Sequence, residues 1–166
     1  TVGAKGNYSK NDDGDKLSIE GAMLVTRETH MIDGPNGYSV YLIPGTSGGL
    51  VTIVDNELQK LGGTISTRVD KDGKPFASID LAGVYTPDKG FDGKGTATLL
   101  KEIEVGAMGE YKLFIEPGTG AEVKVEANEP VHVGGTVKIR IDEGSKKFIK
   151  GEVTVDYDVK TNKVKT

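Results

Sequence analysis

The chain has no cysteine and no tryptophan. Without thiols it forms no disulfide and offers no thiolate to zinc, to an iron–sulfur cluster or to an electrophilic substrate. Aromatic residues make up 6% of the sequence, too few for the ring platforms on which sugar-binding surfaces are usually built. No stretch approaches the length of apolar sequence that a membrane-spanning helix requires. Neither sign of charge dominates: 21 Lys and Arg stand against 25 Asp and Glu, for a net charge of −4. The two signs are interspersed, so nothing draws the chain as a whole to a phosphate backbone, and nucleic acid is not an expected partner. The one basic run, Lys160, Lys163 and Lys165, reads as a solvated tail over residues 160–166.

What the chain has in excess is glycine, 24 residues in 166, about twice the usual share of roughly 7%. Glycine weakens the interior of helices and strands, so this supply points to many turns, bulges and close backbone approaches. With 36% hydrophobic and 28% charged residues, the composition is that of a folded domain.

Alternation with a period of two runs through the sequence. It is cleanest near the end, where Val137, Ile139 and Ile141 alternate with Lys138, Arg140 and Asp142. After Glu143-Gly144-Ser145-Lys146, residues Ile149, Gly151, Val153, Val155 and Tyr157 alternate with Lys150, Glu152, Thr154, Asp156 and Asp158. That pattern gives a strand one apolar and one polar face, the mark of antiparallel sheets. A hairpin is predicted where 64–69 and 75–81 flank Asp72-Gly73, a pair with the chemistry of a tight turn. Asp55 and Asn56 before Glu57–Leu61, with Gly62 behind, predict one short helix near 55–61. The expected architecture is all-β and mainly antiparallel, a β-sandwich or barrel of about 8–10 strands. Its parts are a flexible polar arm over 1–16, a single β domain over 17–159 and the basic tail. No internal repeat stands out; Gly21-Ala22-Met23 echoes Gly106-Ala107-Met108 over three residues.

Chemistry-bearing patterns are sparse. Gly45, Ser47 and Gly49 have the spacing of a nucleophile elbow, but Leu50–Val54 reads as a strand where that elbow needs a helix. The two histidines, His30 and His132, are the available bases; His132, between two valines, points away from whatever those valines bury. No phosphate-binding glycine motif is present. Met23, Met31 and Met108 are scattered and read as packing residues. The cation-site candidate is Asn11, Asp13, Asp15 and Glu20, with Ser9 ahead and Gly14 at the turn. These oxygens fall at the alternate positions by which a calcium loop wraps a hard cation. Ser9 replaces the first carboxylate, Lys16 takes an apolar position and no helices flank the loop, so a polar turn into the first strand is the simpler reading. Asp70, Asp72 and Asp88 read as turn residues.

No catalytic set emerges, and no cofactor is expected apart from calcium at that loop. The expectation is a non-enzymatic structural subunit of a surface, filament or virion-type assembly, with copies of itself or other subunits as partners. A location outside the cytoplasm suits a cysteine-free chain of this kind. The alternative is a secreted or periplasmic module that binds a small ligand.

Overall fold

The computed structural model describes residues 2–10, 17–46, 49–54 and 57–165, with side chains from Glu20 onward. Among the described residues the fold is all-β. Fourteen strands form one antiparallel sheet: β1 Val2–Lys10, β2 Leu17–Val25, β3 Thr29–Asp33, β4 Tyr38–Leu42, β5 Gly49–Val54, β6 Glu57–Lys71, β7 Lys74–Thr86, β8 Gly90–Leu99, β9 Ile103–Met108, β10 Tyr111–Ile115, β11 Gly120–Glu126, β12 Glu129–Glu143, β13 Lys146–Asp158 and β14 Lys163–Lys165. The stretch read as an arm therefore contains β1, paired along its length with β2. The tail contains β14, paired with the end of β13.

The antiparallel all-β class holds, but among the described residues no second layer closes it into a sandwich or barrel. Leu81 and Val153, which a sandwich would bury, are 49% and 57% exposed. The accessible surface is 11051 Å², against roughly 7,900 Å² for a compact protein of this mass. The short helix expected near 55–61 is absent over its described part: Glu57–Leu61 opens β6 and pairs with β5. Two turns of helix have little stability of their own, and pairing with β5 overrides the local capping signals. Gly62 caps nothing. It lies opposite Val84, and a Cβ there would meet the Gly83 carbonyl oxygen at 2.8 Å.

The pairing reveals a duplication. β6 carries β5 and then β4 end to end along one edge, with β7 along the other. β12 carries β11 and then β10 in the same way, with β13 opposite. β3 pairs β4 as β9 pairs β10, and β2 pairs β5 as β8 pairs β11. The unit spans β2–β7 and recurs as β8–β13. β7 belongs to both: it closes the first unit against β6 and opens the second against β8.

The sequence follows the structure. Tyr38, Tyr41 and Pro44-Gly45-Thr46 correspond to Tyr111, Phe114 and Pro117-Gly118-Thr119. Gly62-Gly63-Thr64, Arg68, Asp70 and Phe76 correspond to Gly134-Gly135-Thr136, Arg140, Asp142 and Phe148. Gly21 and Gly106, by contrast, lie in non-equivalent strands.

The Pro-Gly-Thr segments are turns with proline and then a left-handed glycine at the centre (Gly45 φ 88°, Gly118 φ 83°), which only glycine adopts without strain. Each turn is stitched in the same way. The Val25 and Leu99 amides donate to the Thr46 and Thr119 carbonyls at 2.9 and 2.8 Å. The Thr46 and Thr119 hydroxyls accept from the Ser66 and Lys138 amides at 3.1 and 2.9 Å. Thr46 is 2% exposed.

Glycine in the ladder is required where backbones approach. A Cβ on Gly135 would lie 2.8 Å from the Gly120 carbonyl oxygen, whereas one on Gly106 would touch nothing. Gly135→Ala is therefore expected to cost about 1–3 kcal/mol. Gly106→Ala should be neutral or stabilise by up to about 1 kcal/mol through the unfolded chain. Urea unfolding of the two variants checks both signs.

Candidate functional site: the uncovered apolar face

Because cross-strand partners share a face, the register assigns every side chain in the ladder. One face carries Leu61, Ile65, Leu81, Tyr85, Phe91, Val123, Val133, Val137, Ile149, Val153, Val155 and Tyr157. These belong to neighbouring strands and run unbroken from the first unit into the second. Among the described residues, the only buried hydrophobic side chains are Val25 and Val131. Large continuous apolar patches are uncommon on isolated soluble proteins.

The face dips at the unit boundary. There Leu61, Ile65, Leu81, Tyr85, Phe91, Val123 and Val125 border a trough of about 510 Å³ floored by glycines. Phe91 lies flat over two of them. A Cβ on Gly83 would come within 2.4 Å of its ring, and one on Gly93 within 2.5 Å. The strand is held there by the β11–β12 turn. The Phe91 amide donates to Asn128 Oδ1 at 2.9 Å, the Asn128 amide to the Phe91 carbonyl at 3.0 Å, and the Ala127 amide to Asp92 at 2.8 Å.

The opposite face is polar, and its two main ion-pair clusters obey the duplication. Arg68 grips Asp70 through Nε at 2.6 Å and Glu28 through a second nitrogen at 2.7 Å, with the Tyr41 ring 5.0 Å away. Arg140 grips Asp142 through Nε at 2.7 Å, forks onto Glu102, reaches Glu116 at 3.2 Å, and stacks on Phe114 at 4.5 Å. Arg and Asp two apart in one strand share a face, so one guanidinium ties its own strand to the segment entering β3 or β9. Asp70 and Arg140 are 4% and 8% exposed. Lys150, and then Arg140, hold the Glu116 carboxyl below the usual carboxylate range against its partial burial. Lys124 and Lys160 pull Glu126 down to about 2, which tethers the segment after β13 to β11.

Of the residues singled out from sequence, Asn11, Asp13 and Asp15 lie outside the described residues, as does Ser47. Glu20 is an exposed residue of β2, between Asn7 and Thr52. His30 sits on β3 with Nε2 2.8 Å from Asp33 and its ring against Tyr41. His132 is on the polar face, Nδ1 3.0 Å from Asp156 and Nε2 3.8 Å from Glu122. The two histidines lie in different units and are not brought together. Asp70, read as a turn residue, is instead the buried partner of Arg68; Asp72 is at the turn, with φ 51°. The arginine clusters were not recognised from sequence, although Gly-Gly-Thr-x-x-x-Arg-x-Asp occurs in both halves. Among the described residues, no three His, Asp or Glu side chains are grouped to hold a metal, and no helix is long and apolar enough to cross a membrane.

Removing the guanidinium at Arg140 leaves Glu102 and Asp142 without their cation and Glu116 with Lys150 alone. Arg140→Ala should lower Tm by roughly 5–10 °C, and Arg68→Ala should do likewise at the equivalent place. Lys94→Ala, which breaks an exposed pair with Glu122, should move Tm by about 1 °C. Scanning calorimetry of the three variants makes the comparison.

Comparison with protein families, with curated proteins and with solved structures finds no match to the chain, so its own geometry carries the functional reading.

Proposed function

We propose that this protein is a non-catalytic structural subunit of a surface, filament or virion-type assembly, in which neighbouring subunits cover the apolar face of the sheet. One observation carries the reading: the apolar face runs through both units and is uncovered in the isolated chain. Burying apolar area is the main driving force of association. The surplus of surface over a compact protein of this mass, roughly 3,000 Å², lies within the range that large permanent interfaces bury. A copy of the same chain is a self-sufficient partner, because an apolar sheet face is complementary to itself in aligned sheet packing. The duplication supports the same role, since repeated units with nearest-neighbour contacts make extended scaffolds. An assembly of this kind belongs at a cell surface or in a virion, where a chain without thiols has nothing to oxidise.

A second reading has the trough at the unit boundary behind it. Its glycine floor and the Tyr85 and Phe91 rings suit a flat apolar ligand in a secreted or periplasmic binding module.

Light scattering from micromolar to millimolar protein separates the two. A structural subunit should show an average mass rising well above the 17.6 kDa of one chain. Leu81→Lys, on the face but away from the sheet edges, should return it to 17.6 kDa with little change in Tm, because Leu81 is already half exposed. A mass that stays at one chain throughout rejects the assembly reading.

A further inference from the structure

We propose that the free edge of β13 is an acceptor for one more unit of this same design, entering through a strand built like β8. This concerns the edge of the sheet rather than its apolar face, and goes beyond the assembly reading.

The argument starts from β7. It ends the first unit, yet its outer edge is occupied from Ala77 to Thr86, where β8 pairs with it. β13 ends the second unit in the same way, paired with β12 as β7 is paired with β6. Among the described residues, its outer edge is paired only at the last three positions, by β14. Those pairs are informative. Asp158 faces Lys163, Tyr157 faces Val164 and Asp156 faces Lys165. On β7 the corresponding pairs are Thr86 with Gly90, Tyr85 with Phe91 and Val84 with Asp92. β14 thus occupies the first three positions of a β8-like strand in the β8 register. Ahead of it, residues 149–155 correspond to 77–83 of β7, and Ile149, Gly151, Val153 and Val155 stand where Ala77, Ile79, Leu81 and Gly83 stand.

The side chains fit the register. On β7, Gly83 leaves the space that the Phe91 ring fills. On β13 the equivalent residue is Val155, whose side chain takes that space, and the residue in the place of Phe91 is the smaller Val164. The exchange is compensatory: glycine faces a large ring at one boundary, and valine faces valine at the other. Charge continues the match. Lys94, the fifth residue of β8, lies opposite Ala82. A lysine at that place on the next strand would lie opposite Thr154, diagonal to both Glu152 and Asp156, within reach of cross-strand attraction. Edge strands offer unpaired N–H and C=O groups as templates, and β-strand addition is the interaction this edge supports.

The test appends a second copy of residues 94–158 directly after Thr166 of the full chain, so that β14 continues as a complete β8-like strand. Hydrogen exchange of the β13 amides that face outward over 148–155 should slow about 100-fold relative to the 166-residue chain, to the level of β7. X-ray scattering should show the particle longer by roughly 15 Å, three strand spacings beyond the column β14 already occupies. Val164→Phe in the extended chain should reverse much of the protection by crowding Val155, and adding Val155→Gly should restore it. Unchanged exchange at β13 overturns the proposal, whether the added segment folds separately or not at all. So does protection indifferent to Val164→Phe. Neither result bears on self-association through the apolar face, which light scattering reads independently.

Discussion

Lateral pairing of strands carries this fold, because among the described residues there is no second layer to share the work. In a sandwich, each strand is held both by its ladder and by a core about 10 Å thick. Here the ladder, the cross-strand side-chain pairs and the polar clusters must suffice. β7 is the point at which this constraint is sharpest. It is paired along both edges, to β6 and to β8, and through it the ladder of the first unit becomes the ladder of the second. Interactions of this kind reach only to the next strand, so the stability of such a sheet is built from units and their neighbour terms.

The two faces of the sheet divide the task unequally. On the polar face, each arginine cluster joins strands that the ladder alone would leave to fray, and it does so at the step where the chain leaves one strand column to form the next hairpin. A planar guanidinium holding two carboxylates side by side fixes orientation as well as distance. The Pro-Gly-Thr turns act beside the same strands, each with a threonine hydroxyl that accepts from an amide of β6 or β12. The apolar face contributes cross-strand contacts within the layer, yet keeps much of its area in contact with water. The sheet is thus braced by polar clusters on one face and left bare on the other.

Much of the strand pattern was legible in the sequence, because its cause is local. Alternation such as Val137, Ile139 and Ile141 against Lys138, Arg140 and Asp142 maps one residue to one face. Asp72-Gly73 sets its own turn, with φ of 51° and 71°. What was not legible depends on neighbours. Alternation shows that a face is apolar and says nothing of whether a second sheet covers it, so a sandwich and an open sheet have the same signature. The helix at 55–61 was a reasonable local inference that strand partners overruled. The duplication was hidden because few positions need the same residue twice: the left-handed glycine of the turn, the glycines at close approach, and the arginine with its aspartate. The offset also slips by one residue between the two turn-to-strand segments, which blurs a direct comparison. The arginine clusters could have been found from the recurrence of Arg-x-Asp after Gly-Gly-Thr. Glu28 and Glu102, distant in sequence, could not.

Repetition of a backbone ladder raises a problem of selectivity, since hydrogen bonds between strands are indifferent to which strand supplies them. The boundaries in this chain differ just where such indifference would matter. At β7–β8, a phenylalanine ring lies across two glycines; at β13–β14, Val164 stands beside a strand that carries Val155 in place of the glycine. Exchanging the two incoming strands would set a ring against a valine at one boundary and leave bare glycine at the other, a clash in the first case and lost contact in the second. On the proposed pairing, the backbone supplies adhesion common to every boundary, while the size of one residue pair on the apolar face selects which strand belongs where. Specificity built from a penalty against the wrong neighbour is how repeated edges avoid indiscriminate pairing.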